Sequence, residues 1–153
     1  MGNADKGSYR LTEAKMSNKN PVKTAADAKT LYGVVVQSKD GRSNRALRVT
    51  KEVLDVIVNY TEFYGKVFSI VEVGKQWPEG TTVETIELST SRPSCTRATY
   101  RVFSPRELTD FDKETLRAQG CFMDGQERGV FSEPKAVDNG YEYMAYSVCD
   151  SGD

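Results

Sequence analysis

Apolar positions along this chain fall into short runs, and the spacing within each run predicts its element. Leu-Tyr-Gly-Val-Val-Val-Gln at 31–37 is short and β-branched, the composition of a strand. Asp40-Gly41 marks a turn after it, and Arg-Ala-Leu-Arg-Val at 45–49 resumes extended chain. Thr50 stands where it can cap a helix. Val53, Val56, Ile57, Tyr60 and Tyr64 then follow at i, i+3, i+4, i+7 and i+11, one face of a helix that Gly65 would end. Residues 66–73 are again strand-like.

The same reading continues into the second half. Residues 74–82 form a loop, 83–89 a strand, 91–97 a loop with a basic pair, Arg92 and Arg97, and 98–103 a strand. The clearest helix lies between Ser104 and Gly120: Ser104 as N-cap, Pro105 at the first helical position and Glu107 completing a capping box. Leu108, Phe111 and Leu116 supply its buried stripe. The last third alternates strands and turns, with Asn139-Gly140 as a hairpin signal. The order is therefore β-β-α-β, then β-β-α, then short strands. This predicts an α+β fold of small, mostly antiparallel sheet with two helices packed on one face. The chain divides into a polar N-terminal extension (1–30), a β-β-α-β unit (31–75) and a second α+β unit packed with it (76–153). Each half carries a basic loop, an extended segment, a helix and a glycine, as a duplicated unit would.

Composition changes this picture in two ways. The chain is 38% hydrophobic and 10% aromatic over 153 residues, enough for a modest core. Its net charge of −1 hides an asymmetry, because residues 1–75 hold 13 basic and 8 acidic side chains and residues 76–153 hold 8 and 14. The halves carry +5 and −6, a polarity suited to docking on charged protein surfaces.

The chemistry on offer is sparse. With no histidine in the chain, Ser-His-Asp and Cys-His catalysis and His-containing metal sites are excluded. Neither a dinucleotide-binding nor a P-loop glycine pattern is present. Asp110, Asp112 and Glu114 crowd the second helix but read as a solvated acidic face. Cys95, Cys121 and Cys149 are far apart with no CxxC, so they read as free structural thiols of a reducing compartment. No apolar run approaches the ~18 residues of a membrane span. Basic residues near aromatics in the first half are too few, and too opposed by the acidic half, for nucleic acid. No catalytic or metal-binding residue is expected.

One stretch carries a resemblance. Arg42, Ser43, Asn44 and Val49, then a helix, then Gly65, Lys66, Val67, Ser69 and Ile70, with the strand 31–37 before them, resemble the small linker domain of phycobilisomes, the CpcD-like domain. Thr50 stands where that family has proline, Tyr64 replaces the first glycine of its pair, and the helix is apolar rather than rich in Arg and Gln. Residues 102–120 hold the proline, at nearly the family spacing to a glycine. The resemblance implies a non-enzymatic assembly protein on the thylakoid surface, in cytoplasm or plastid stroma, docked on phycobiliprotein subunits. Arg42, Arg45, Arg48 and Lys66 would be its contacts. Tyr60, Phe63 and Phe68 would lie near the partner's bilin, touching it without covalent attachment and with no cofactor of the chain's own. The residues alone leave open a structural subunit or adaptor of another large assembly, such as a virion protein, and a small histidine-free ligand-binding domain or enzyme.

Overall fold

The β-β-α-β order is present at residues 31–74 of the computed structural model, which describes residues 21–152. In chain order the elements are β1 (Val22–Lys23), a 3-10 turn (Ala25–Asp27), β2 (Leu31–Gln37), β3 (Asn44–Thr50), α1 (Lys51–Asn59), α2 (Thr61–Tyr64) and β4 (Lys66–Gly74). Then come β5 (Thr82–Arg92), β6 (Cys95–Ser104), α3 (Asp110–Ala118), β7 (Glu127–Phe131), β8 (Lys135–Val137) and β9 (Gly140–Asp150). They build two antiparallel sheets, β3-β2-β4 and β1-β5-β6-β9-β7, with β8 also paired to β9. The fold is α+β with helices packed alongside.

Alternation along β2 makes the smaller core. Val34 and Val36 point toward α1 and bury against Val49, Leu54 and Ile57, while Gly33 and Val35 point the other way. The helix face differs from the expected one. Leu54 and Ile57 are buried, whereas Val53, Val56, Tyr60 and Tyr64 are exposed. This helix carries apolar residues on more than one face, and periodicity alone does not say which face a three-stranded sheet covers. It also breaks at Tyr60 (φ −125°, ψ 52°), which separates α1 from α2. Gly65 ends α2 at φ 98°, and a Cβ there would lie 2.1 Å from the Gln37 carbonyl oxygen.

The larger core lies on one face of the second sheet, where Val83, Ala98, Tyr100, Val102, Tyr143 and Ala145 meet Leu108, Leu116, Cys121 and Phe122. Tyr100, Phe122, Phe131 and Tyr143 form a chain of edge-to-face rings with centroids 5.0–5.7 Å apart. The expected loop at 91–97 is instead a tight hairpin, and Arg92 and Arg97 lie on its strands. The last strand is not short, since β9 runs eleven residues and is paired on both sides.

The second helix starts later than its sequence suggests. Its N-cap is Thr109, whose hydroxyl accepts from Asp112 N at 3.1 Å while the Asp112 carboxylate accepts from Thr109 N at 2.9 Å. Two capping signatures compete here, and the sheet decides between them. Ser104 pairs with Tyr141 as the last residue of β6, so it cannot open a helix. The Tyr143 hydroxyl accepts from Leu108 N at 2.7 Å and ties the linking segment to β9. Phe111, expected in the buried stripe, is 54% exposed, while Leu108 and Leu116 are buried.

Two further differences concern organisation. Residues 1–20 of the expected extension lie outside the described residues. Residues 21–30 are not an arm, because β1 pairs with β5, Val22 opposite Glu84 and Lys23 opposite Val83. The 31–74 unit is thus inserted between two strands of the larger sheet. The halves also differ in strand order. After α1 the chain returns beside β2, the first strand of its hairpin, whereas β9 lies beside β6, the second strand of its own. They share element order and not topology.

Leu116→Ala, at a side chain with no exposure, should cost about 2–5 kcal/mol in denaturant unfolding. Gly65→Ala should cost about 1–3 kcal/mol, from left-handed backbone and collision with Gln37.

Candidate functional site

The Arg-Ser-Asn stretch closes the β2–β3 hairpin, and its own side chains build the turn. Ser38 Oγ donates to Asp40 Oδ1 at 2.6 Å, Arg42 N donates to the same oxygen at 3.0 Å, and Ser43 N donates to Ser38 Oγ at 3.2 Å. The bond from Ser38 and the backbone bond from Arg42 hold the Asp40 carboxyl below its ordinary pKa. The carboxylate is occupied by the turn, and the Arg42 guanidinium extends into solvent, no closer than 4.0 Å to it.

Arg45 sits opposite Val36 and lines a recess of about 270 Å³ together with Lys39, Phe63 and Tyr64. Lys66 sits opposite Gln37 and lines an adjoining recess of about 400 Å³ with Lys39, Thr61 and Glu62. The hairpin end of the small sheet and the α2 turn therefore share one pole, where the hairpin contributes Arg42, Arg45 and Lys39. Phe63 is 78% exposed there, and Tyr60 is also exposed. Phe68 is exposed further along, on β4. Lys39 and Tyr64 were not among the expected contacts, although Lys39 directly precedes the Asp40-Gly41 turn signal.

Arg48 is not part of this pole. It follows Arg45 by three residues on one strand, so alternation turns it to the other face. There its guanidinium lies 4.2 Å from the Phe111 ring centroid and donates to Thr115 Oγ1 at 3.5 Å, against α3. A groove of about 570 Å³ runs beside this contact, lined by Val35, Val71, Val73 and Phe111 with Asp110 and Glu114 on the helix side.

The acidic trio is not one solvated face. Asp112 is buried, accepts from Arg106 Nη1 at 2.6 Å and Nη2 at 3.1 Å, and completes the helix cap. The Arg106 hydrogen bond holds its carboxyl below the ordinary range, against the opposing effect of burial. Among the cysteines, Cys149 is exposed, Cys95 half-buried and Cys121 buried. Burial pushes the Cys121 thiol up to about 12. Cys149 pairs with Thr96, the neighbour of Cys95, so the Cys95 and Cys149 side chains point to opposite faces. Among the described residues no group of three or more acidic or thiol side chains could hold a metal ion, and no helix is long and apolar enough to cross a membrane.

No family model matches the chain, and no match was found among curated proteins or solved structures.

Thiol labelling of the native protein near neutral pH, followed by mass spectrometry, should modify Cys149 first and leave Cys121 unmodified. Because the folded pKa of Asp112 is depressed, its stabilisation is present above the unfolded value and lost as pH falls through the folded one. Asp112→Asn should therefore cost about 1–3 kcal/mol near neutrality. It should also flatten the acid limb below about pH 4 in unfolding measured against pH.

Proposed function

We propose that this chain is a non-enzymatic assembly protein that docks the pole of its 31–74 unit on an acidic protein surface, and that the partner is a phycobiliprotein ring of a light-harvesting antenna. One observation carries the reading: Arg42, Arg45, Lys39 and Lys66 share a pole with the exposed ring of Phe63. Cations steer the encounter with an acidic partner and fix its orientation. An exposed aromatic ring anchors the contact once water is excluded. Among the acidic groups at the pole, Asp40 is occupied by the turn's own hydrogen bonds and Glu62 stands beside Lys66 in its recess, while the cations Arg42, Arg45 and Lys39 lie on the hairpin side.

The choice of partner rests on the linker-domain resemblance at residues 42–49 and 65–70. The β-β-α-β order of residues 31–74 supports it. On this reading Phe63 and Tyr60 would pack near a partner's bilin and alter its surroundings without covalent chemistry, Phe68 would touch the same partner from β4, and the protein would sit peripherally on the thylakoid surface. A second reading has its own observation. Val53 and Val56 on α1 and Tyr60 at its C-cap are exposed apolar side chains, and such a face fits a structural subunit of any large assembly.

The test is capture of coloured protein from a phycobilisome-containing lysate by the purified chain, across a salt series and read by visible absorbance. The expected result is bilin protein retained at low salt and released at high salt. Arg42→Glu with Arg45→Glu should weaken retention about tenfold or more, and Phe63→Ala should weaken it at every salt concentration. Colourless capture under all conditions would remove the antenna partner and leave the second reading.

A further inference from the structure

The inserted unit hangs from a narrow neck. Leu31 opens β2 opposite Gly74, which closes β4, so the chain enters and leaves the unit side by side. At that point both crossings meet Gln119, the C-cap residue of α3, whose side chain is buried in the residue's 4% exposure. Its Oε1 accepts from Lys29 N at 2.7 Å, and its Nε2 donates to Lys29 O at 2.8 Å and to Lys75 O at 2.5 Å. One amide thus satisfies one donor and two acceptors of the neck, using both of its N–H groups and one acceptor site of its oxygen. Asparagine is a methylene shorter, and glutamate has no donor for the carbonyls.

The rest of the junction lies on the same side of the helix. Phe111, Thr115 and Gln119 are spaced by four, one stripe of an α-helix. Arg48 meets the first two, and the neck meets the third.

We infer that Gln119 is a clasp that sets the orientation of the 31–74 unit on the rest of the molecule, and that the neck opens when the clasp is removed while both cores remain folded. The clasp fixes the angle between the basic pole and the acidic half. This holds whatever protein the pole meets, so it does not rest on the antenna reading. It differs from a packing role, because it acts on two backbone segments that are 46 residues apart in sequence and only one amide apart in space.

Trypsin tests it directly, because Lys29 O and Lys75 O are the carbonyls of the two peptide bonds that trypsin would cut at the neck. Gln119→Leu keeps the volume and removes every hydrogen bond; Gln119→Glu keeps only an acceptor. In both variants, native-state cleavage after Lys29 and after Lys75 should accelerate together by about tenfold or more. Cleavage after Lys51 and Lys113 should hold at the wild-type rate, and thermal unfolding should remain cooperative. As a second measurement, spin labels at Arg42→Cys and Glu133→Cys, in a Cys95→Ser, Cys149→Ser background, should show a broader distance distribution once Gln119 is Leu. Unchanged rates at the neck would overturn the clasp, as would acceleration at only one of the two sites. Uniform acceleration at all lysines with an unchanged distance distribution would also overturn it, and would reduce Gln119 to general stability.

Discussion

A single constraint of strand order governs this molecule. β2 is the middle strand of its sheet, flanked by β3 and β4. Antiparallel pairing therefore brings the start of β2 against the end of β4, Leu31 against Gly74. A unit whose ends meet can be inserted into another sheet without disturbing it, and this one is. β1 and β5 are sequence-distant but pair across the insertion, so the larger sheet keeps its edge. Had the chain after α1 returned beside β3 instead, its ends would lie on opposite sides of the unit, and no one residue could hold both crossings.

The helix α3 works for both bodies because its faces divide the labour. Leu116 is buried in the large core, and Asp112 caps the helix while gripping Arg106. One step around, Phe111, Thr115 and Gln119 meet the inserted unit. Asp112 is more than a surface charge, since it satisfies the Thr109 N–H and two guanidinium hydrogen bonds at once. A helix end fixed in this way gives its far end a fixed place, and that end is where the clasp sits.

Elements were legible in the sequence where one local signal dominated. The β-branched run at 31–37 and the Gly65 stop act through neighbours, and each is where the pattern places it; the hairpin expected at Asn139-Gly140 is present one residue earlier, with Asp138-Asn139 as its loop and Gly140 opening β9 opposite Val137. Long-range competition explains the misses. Ser104 carries a good capping pattern but is taken by β9 through its pairing with Tyr141. Val53 and Val56 fit a buried stripe, yet the sheet covers Leu54 and Ile57. The clasp had no local signature, because a glutamine after a helix is unremarkable until two distant backbone segments arrive at it. Of the candidate contacts, the structure brings Arg45 and Lys66 to neighbouring recesses beside the exposed hairpin tip that carries Arg42, and it sets Arg48 apart.

That separation follows from the strand on which Arg45 and Arg48 both lie. A strand alternates faces, so arginines three apart cannot serve one surface from the same strand. Arg42 lies in the turn and is free of the alternation. Arg45 points to the side of the sheet that α1 covers, beyond the end of that cover, and so reaches solvent beside Phe63. Arg48 points to the uncovered side and finds Phe111, where stacking on a ring offsets part of the cost of leaving water. One run of basic residues is thereby split between an outward surface and an internal joint. The position of the pole and the attachment of the unit that bears it then depend on the same strand, so a change in the register of β3 would move both together.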